Sequence, residues 1–281
     1  MTMKNEKRKR RIFHAVGALS VAVLLATGMT GCVSSGQEQI IEETDSSIQT
    51  IWTGKEENID KAVLENQAAV VRVMQENRYG SGVLWSVEGD RLIVVTNWHV
   101  LAESEWAEWE ASEEESCKEE GVSLVPTAGG SLQFADGSEA AFRLVFYDAE
   151  CDVAFLETEL LEVAEETREK IRLVSTQAAC YQSLKKGDEI GIVGAGEDGT
   201  TLFVTGSVID KSWFLEDFGM EMLYLDGMVK PGMSGGGIFD AHGHYVGMLT
   251  GGTREECAGV PFPVIKKIYE NKSYSSENSN R

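Results

Sequence analysis

The feature that most limits the fold is the shortness of the apolar runs. Between residues 69 and 249 the hydrophobic residues come in brief, often β-branched stretches, most of them followed within three residues by glycine, aspartate or asparagine. The stretches 69–74, 83–86, 91–95, 131–134, 141–147 and 152–156 form one set, and 189–193, 202–209, 222–225, 237–239 and 245–249 form a second. Runs of this length with turn residues at both ends are strands rather than helices. Gly80-Ser81-Gly82 is read as punctuation between two of them. Asp136-Gly137 between 131–134 and 141–147 is a hairpin turn, because both residues accept the positive φ that a tight turn needs. Composition agrees: 29 Gly stand against 4 Pro, as a turn-rich β protein requires. A more helical, acidic stretch at 157–170 separates the two sets, so the chain is expected to fold as two β modules. Helical spacing returns only at 263–271, through Val264, Ile265, Ile268 and Tyr269.

The N-terminus reads as an address. Lys4, Lys7, Arg8, Lys9, Arg10 and Arg11 precede an apolar run that ends Met29-Thr30-Gly31-Cys32, the basic and hydrophobic regions of an export signal. The ending resembles a bacterial lipoprotein signal, with Met29 in place of the usual Leu. That resemblance implies that Cys32 is lipidated and becomes the new N-terminus. The alternative is an uncleaved anchor, since residues 12–29 are long enough to span a bilayer. Both place the body outside the cytoplasmic membrane, held to it by lipid or anchor. Residues 1–31 are therefore expected to be the signal, 32–60 a polar tether, 61–271 the folded domain and 272–281 a disordered tail.

The formal charge is −21, and the basic leader means that the body is more acidic still. Such a surface repels nucleic acid and anionic lipid. The Glu-rich insertion 103–120, with Trp106 and Trp109, reads as a solvated surface segment. Apart from Cys32, the cysteines are Cys117, Cys151, Cys180 and Cys257. They show no CxxC and no histidine at ligand spacing, so neither a metal nor a cofactor is expected. Outside the cell they allow up to two disulfides in three connectivities, or free thiols.

The chemistry lies in three places. Gly232-Met233-Ser234-Gly235-Gly236 puts a hydroxyl between glycines that let the backbone turn tightly and gather N–H groups into one concavity. A serine hydroxyl is a poor nucleophile without an adjacent base. His99 follows an apolar strand in Thr96-Asn97-Trp98-His99-Val100, and Asp152 opens Asp152-Val153-Ala154-Phe155-Leu156. In the order His, Asp, Ser they match one arrangement of a catalytic triad.

These motifs together resemble the trypsin-like serine proteases of the HtrA (Deg) family. Matching pieces run from about residue 66 to 270: Gly80-Ser81-Gly82, the His99 and Asp152 segments, Lys186-Gly187-Asp188, Thr205-Gly206, Asp226, Pro231 to Gly236, Gly243 to Gly247 and Val260 to Pro263. The resemblance implies an all-β fold of two antiparallel six-stranded β-barrels, at about 66–160 and 175–262, with a short C-terminal helix and the site in the cleft between the barrels. It implies His99 as base, Asp152 as its orienting partner, Ser234 as nucleophile, and the N–H groups of Gly232 and Ser234 as the oxyanion hole. It also implies a substrate pocket at Met228, Thr250 and Gly251, with polypeptide substrates cleaved after small or aliphatic residues. Met233 stands where the family usually has Asn or Asp, and Gly237 replaces a common Pro. Only 18 residues follow Pro263, too few for a PDZ domain, so substrate capture through one is not expected.

Three rival readings compete with this one. Gly-x-Ser-x-Gly also marks α/β-hydrolases, but their acid and histidine follow the serine, and here only Asp240, His242 and His244 do so, all close to it. Gly194-Ala195-Gly196-Glu197-Asp198-Gly199 imitates a dinucleotide fingerprint, yet it leads into β-branched residues rather than a helix. The remaining alternative is a catalytically silent protease fold used as a binding module, for which an intact triad is unnecessary.

Overall fold

The computed structural model describes residues 48–51, 61–75, 78–101 and 129–278. The export signal with Cys32, most of the tether, Cys117 and the Glu-rich insertion lie outside the described residues.

Two closed β-barrels make up the body. The first contains β2 (Val70–Gln75), β3 (Arg78–Glu88), β4 (Arg91–Thr96), β5 (Gly129–Gln133), β6 (Glu139–Asp148) and β7 (Val153–Glu159), joined in the order β2-β3-β4-β7-β6-β5. The second contains β8 (Glu189–Ala195), β9 (Thr201–Leu215), β10 (Met220–Asp226), β11 (Gly237–Asp240), β12 (Tyr245–Gly252) and β13 (Glu256–Pro261). Its order is β9-β10-β13-β12-β11-β8, closed by pairing of β8 with β9. All pairings within the two barrels are antiparallel, which lets short connections join neighbouring strands. Short helices α1 (Lys61–Glu65), α2 (Glu165–Arg168) and α3 (Ala178–Ser183) flank or link the barrels, and α4 (Phe262–Asn278) closes the chain.

Strand residues alternate between an inner face and an outer face, so each barrel has its own core. Val71, Val73, Leu84, Leu92, Val94, Leu132 and Leu156 fill the first. Ile190, Ile192, Val204, Leu223, Leu225, Ile238 and Val246 fill the second. Between them Trp85 packs against Phe155 of barrel one, Tyr245 of barrel two and both Phe262 and Tyr269 of α4. This aromatic cluster joins the barrels and holds α4 across their seam. Trp85→Ala would cost about 3–5 kcal/mol, the usual loss for emptying a buried aromatic site.

Three sequence expectations change. β3 does not pause at Gly80-Ser81-Gly82; it runs straight through them, because Gly80 and Gly82 face side chains that leave no room for a Cβ. A Cβ on Gly80 would lie 2.6 Å from Val100 Cγ2. These glycines serve close packing rather than a turn. In the segment read as a tether, β1 (Ile48–Ile51) pairs in parallel with Thr201–Val204 of β9. It lies on the edge that β10 leaves free, since β10 pairs only with the later part of β9. The terminal helix continues to Asn278, past the expected frayed boundary at 272. Cys151, Cys180 and Cys257 are all free thiols, so among the described residues no disulfide forms.

Candidate active site

His99 lies on a single 3-10 turn, Trp98–Val100, at the end of β4. The turn is held from outside by Trp98, whose ring stacks on Tyr147 at 3.9 Å and 10°. Asp152 sits in the turn between β6 and β7 with φ of 54°, a left-handed conformation that costs a non-glycine residue free energy. The turn is secured by Asp148, whose carboxylate accepts the Cys151 N–H at 2.9 Å. The conformation lets one carboxylate serve His99 twice. Oδ1 accepts the His99 backbone N–H at 2.9 Å, and Oδ2 meets Nδ1 at 2.8 Å. Main chain and ring are thereby fixed together, and among the described residues Nε2 has no hydrogen-bond partner. Asn97 braces the pair: its Nδ2 donates to the Asp152 carbonyl at 3.0 Å and to Thr250 Oγ1 at 3.3 Å.

Ser234 comes from the opposite barrel, in the loop between β10 and β11. Gly232 and Gly235 take φ of 92° and 87°, which glycine alone adopts without strain. Gly235 also passes so close to barrel one that a Cβ would lie 2.0 Å from the Ser81 carbonyl oxygen. Met233 is fully buried in the barrel-two core, and its sulfur accepts the Lys230 N–H at 3.4 Å. An apolar side chain thus anchors the loop. Among the described residues, no protein acceptor meets the N–H of Gly232 or of Ser234.

Ser81 is the residue that sequence reading missed. It is fully buried on β3 and grips the Ser234 loop from barrel one. Its N–H donates to the Ser234 carbonyl at 2.7 Å, and its hydroxyl donates to the Gly232 carbonyl at 2.7 Å. The same hydroxyl accepts the Ala195 N–H at 2.7 Å, and the Ser81 carbonyl accepts Thr96 Oγ1–H at 2.7 Å. Four hydrogen bonds therefore tie the end of β4, β3, β8 and the Ser234 loop into one network. A hydroxyl between two glycines at the start of the apolar run Val83-Leu84-Trp85 was the available signal.

The Ser234 hydroxyl donates to the Thr250 carbonyl at 3.0 Å, and no hydrogen bond joins it to His99. Thr250 is the link between the halves, since its hydroxyl accepts from Asn97 while its carbonyl receives Ser234. It is buried on β12 beside the half-buried Gly251, and Met228 lies half-buried in the loop after β10. The false fingerprint at 194–199 is the end of β8 and its turn into β9.

A profile of the trypsin-like peptidase domain matches residues 80–248, which include His99, Asp152 and Ser234. No curated protein sequence matches the chain. Solved structures share the fold. The HtrA-type protease AlgW with tripeptide superposes with a TM-score of 0.56 at 20% identity, over 74% of this chain and 61% of that one. Deg5 gives 0.55 at 18% identity, over 74% and 90%. Rv3671c from M. tuberculosis H37Rv, a serine-to-alanine mutant in an inactive form, gives 0.54 at 17% identity, over 76% and 90%. The chain spans about 61% of the length of the AlgW structure it resembles.

Proposed function

Because the chain belongs to the trypsin-like peptidase domain family, we propose that it is a serine endopeptidase in which Ser234, His99 and Asp152 act as one unit. The observation that carries this reading is the double hold of Asp152 on His99, at 2.8 and 2.9 Å, facing a serine between two positive-φ glycines. On substrate binding the Ser234 hydroxyl turns from the Thr250 carbonyl to His99 Nε2. His99 takes its proton as Oγ attacks the scissile carbonyl, and Asp152 stabilises the imidazolium. The Gly232 and Ser234 N–H groups receive the oxyanion. The C–N bond breaks as His99 returns the proton to the leaving amine. Water, deprotonated by His99, then releases the acid and restores the serine.

Met228, Thr250 and Gly251 form the proposed side-chain pocket. A thioether offers shape without charge, so the preferred residue before the cut is Val, Ala or Leu in unfolded segments. The proposed location is the outer face of the bacterial cytoplasmic membrane, with Cys32 as lipid acceptor; the lipoprotein-like leader supports it. Labelling with a fatty-acid analogue should fail in Cys32→Ala.

The rotation of Ser234 towards Thr250 favours a second reading, a binding module with a silent site. A fluorophosphonate probe separates the two. Covalent labelling mapped to Ser234 by mass spectrometry, and abolished in Ser234→Ala, supports the peptidase. An unlabelled wild-type protein would leave the binding module.

A further inference from the structure

We infer that the chain carries a zinc site, formed by the non-triad residues Cys180, Asp240 and His244. Cys180 comes from α3, in the segment that links the barrels. Asp240 ends β11, and His244 closes the turn into β12. One ligand atom from each lies within 4.8 Å of the other two. The inference goes beyond the peptidase reading and does not depend on it.

The turn is rigid before any ion arrives. Asp240 Oδ1 accepts the backbone N–H of His242 and of His244, both at 2.9 Å. The Asp240 N–H donates to the His244 carbonyl, and the Gly243 N–H to the Asp240 carbonyl, each at 2.9 Å. The carboxylate and the imidazole are therefore held at a set separation, with Nδ1 at 3.0 Å from Oδ2 and 3.2 Å from Oδ1. In a tetrahedral zinc centre with bonds of about 2.0–2.1 Å to N and O, the N···O edge is about 3.3 Å, and the edge to a thiolate about 3.6 Å. The Asp240–His244 edge is nearly there already. From a separation of at most 4.8 Å, closing the Cys180 edge needs a shift of up to about 1.2 Å, within reach of a side chain on a short, half-exposed helix.

The donor set narrows the ion. Thiolate, imidazole and carboxylate together suit zinc and exclude calcium or magnesium, which take oxygen ligands alone. The half-exposed position leaves the fourth place to water. Asp240 and His244 share one turn, but Cys180 precedes them by four strands of barrel two, so no motif spacing could announce the trio. Zinc here would pin α3 to the hairpin of β11 and β12, close to where the Tyr245 N–H already donates to the carbonyl of Ser175, just before α3, at 3.1 Å. Its effect is on stability rather than on the reacting atoms.

The test uses the untagged protein in the Ser234→Ala background, which removes self-cleavage from the result. One equivalent of Co²⁺ should produce a thiolate-to-cobalt charge-transfer band that zinc displaces. The band should vanish in Cys180→Ser, and cobalt binding should weaken at least tenfold in Asp240→Asn and in His244→Ala. Zinc at one hundred times its Kd should raise the melting temperature by about 5–10 °C in the parent and not in Cys180→Ser. Circular dichroism without metal should be alike in all four proteins, so a lost band reports lost ligation and not unfolding. Absence of the band in the parent, its persistence in Cys180→Ser, or unchanged binding in His244→Ala would each overturn the site.

Discussion

The His99–Asp152 pair and the Ser234 loop face each other across one cleft, yet they are held in different ways. The first-barrel half is complete: one carboxylate fixes both the ring and the main chain of His99, and Asn97 and Trp98 brace the surrounding turns. The second-barrel half has its backbone fixed and its hydroxyl parked. Ser81 and the core residue Met233 secure the loop, while Ser234 Oγ rests on the Thr250 carbonyl. The contrast follows from what each half must do. On the proposed mechanism an orienting pair gains from being fixed, because protons pass through His99 while its ring keeps its place. A nucleophile must move to attack, so what can be fixed in advance is the loop that carries it.

Removing each half should separate these roles. Ser234→Ala is expected to cost on the order of 10⁶ in kcat on a casein substrate, if the three residues act as a unit. Wild-type activity in that variant would place the chemistry elsewhere. Asp152→Asn should cost about 10⁴, because the amide favours the wrong imidazole tautomer while keeping the turn. The readout is kcat at pH 7, with the melting temperature as control. A loss below tenfold would mean that Asp152 holds the turn and nothing more.

Ser81→Ala tests the grip on the nucleophile loop. The variant keeps the backbone bond to Ser234 and removes both bonds of the hydroxyl, orphaning the Gly232 carbonyl and the Ala195 N–H. Each orphaned buried group should cost about 1–3 kcal/mol. Displacement of the two oxyanion donors should lower kcat roughly 10–100-fold, with little change in KM. Ser81 touches no reacting atom, so the measurement that matters is the split between kcat and KM. A fall in stability with kcat intact would reduce Ser81 to a packing residue.

Much of this was legible from the chain. Short runs ending in glycine or aspartate foretold the strands, and the ordered motifs around His99, Asp152 and Ser234 brought out the resemblance. The misses have physical causes. β13 has the sequence Glu-Cys-Ala-Gly-Val-Pro, whose glycine and proline hid a strand that tertiary pairing to β10 and β12 enforces. Gly80 and Gly82 look like breakers, but they mark places where another element leaves no room for a Cβ. The partners of Ser81 and the convergence of Cys180, Asp240 and His244 depend on barrel closure, which brings distant residues together and leaves no periodic trace. The resting position of Ser234 is a rotamer, and a motif does not encode one.

The smallest expected effect probes the acid turn itself, through the neighbour of Asp152. Cys151 is half-buried, and its thiol is pushed up from 9.0 to about 11, first by burial and then by the negative charge of Asp148. The thiolate is the form that reacts. At pH 8 a thiol of this kind holds roughly a hundredth of the thiolate of an ordinary one, so carbamidomethylation of Cys151 should run about a hundredfold slower. Its rate should climb about tenfold per pH unit from 8 to 10 and level off only near 11. The sign for stability is the same. Because the folded protein disfavours the charged thiol, this contribution is complete below pH 9 and declines as the pH rises towards 11. Peptide mapping after timed alkylation gives the rate at Cys151 alone. If the turn is as firmly held as the two Asp152 bonds imply, peptidase activity should fall only as Cys151 becomes modified. Rapid alkylation at pH 8 would show instead that the turn opens, and that the first-barrel half is no more fixed than the second.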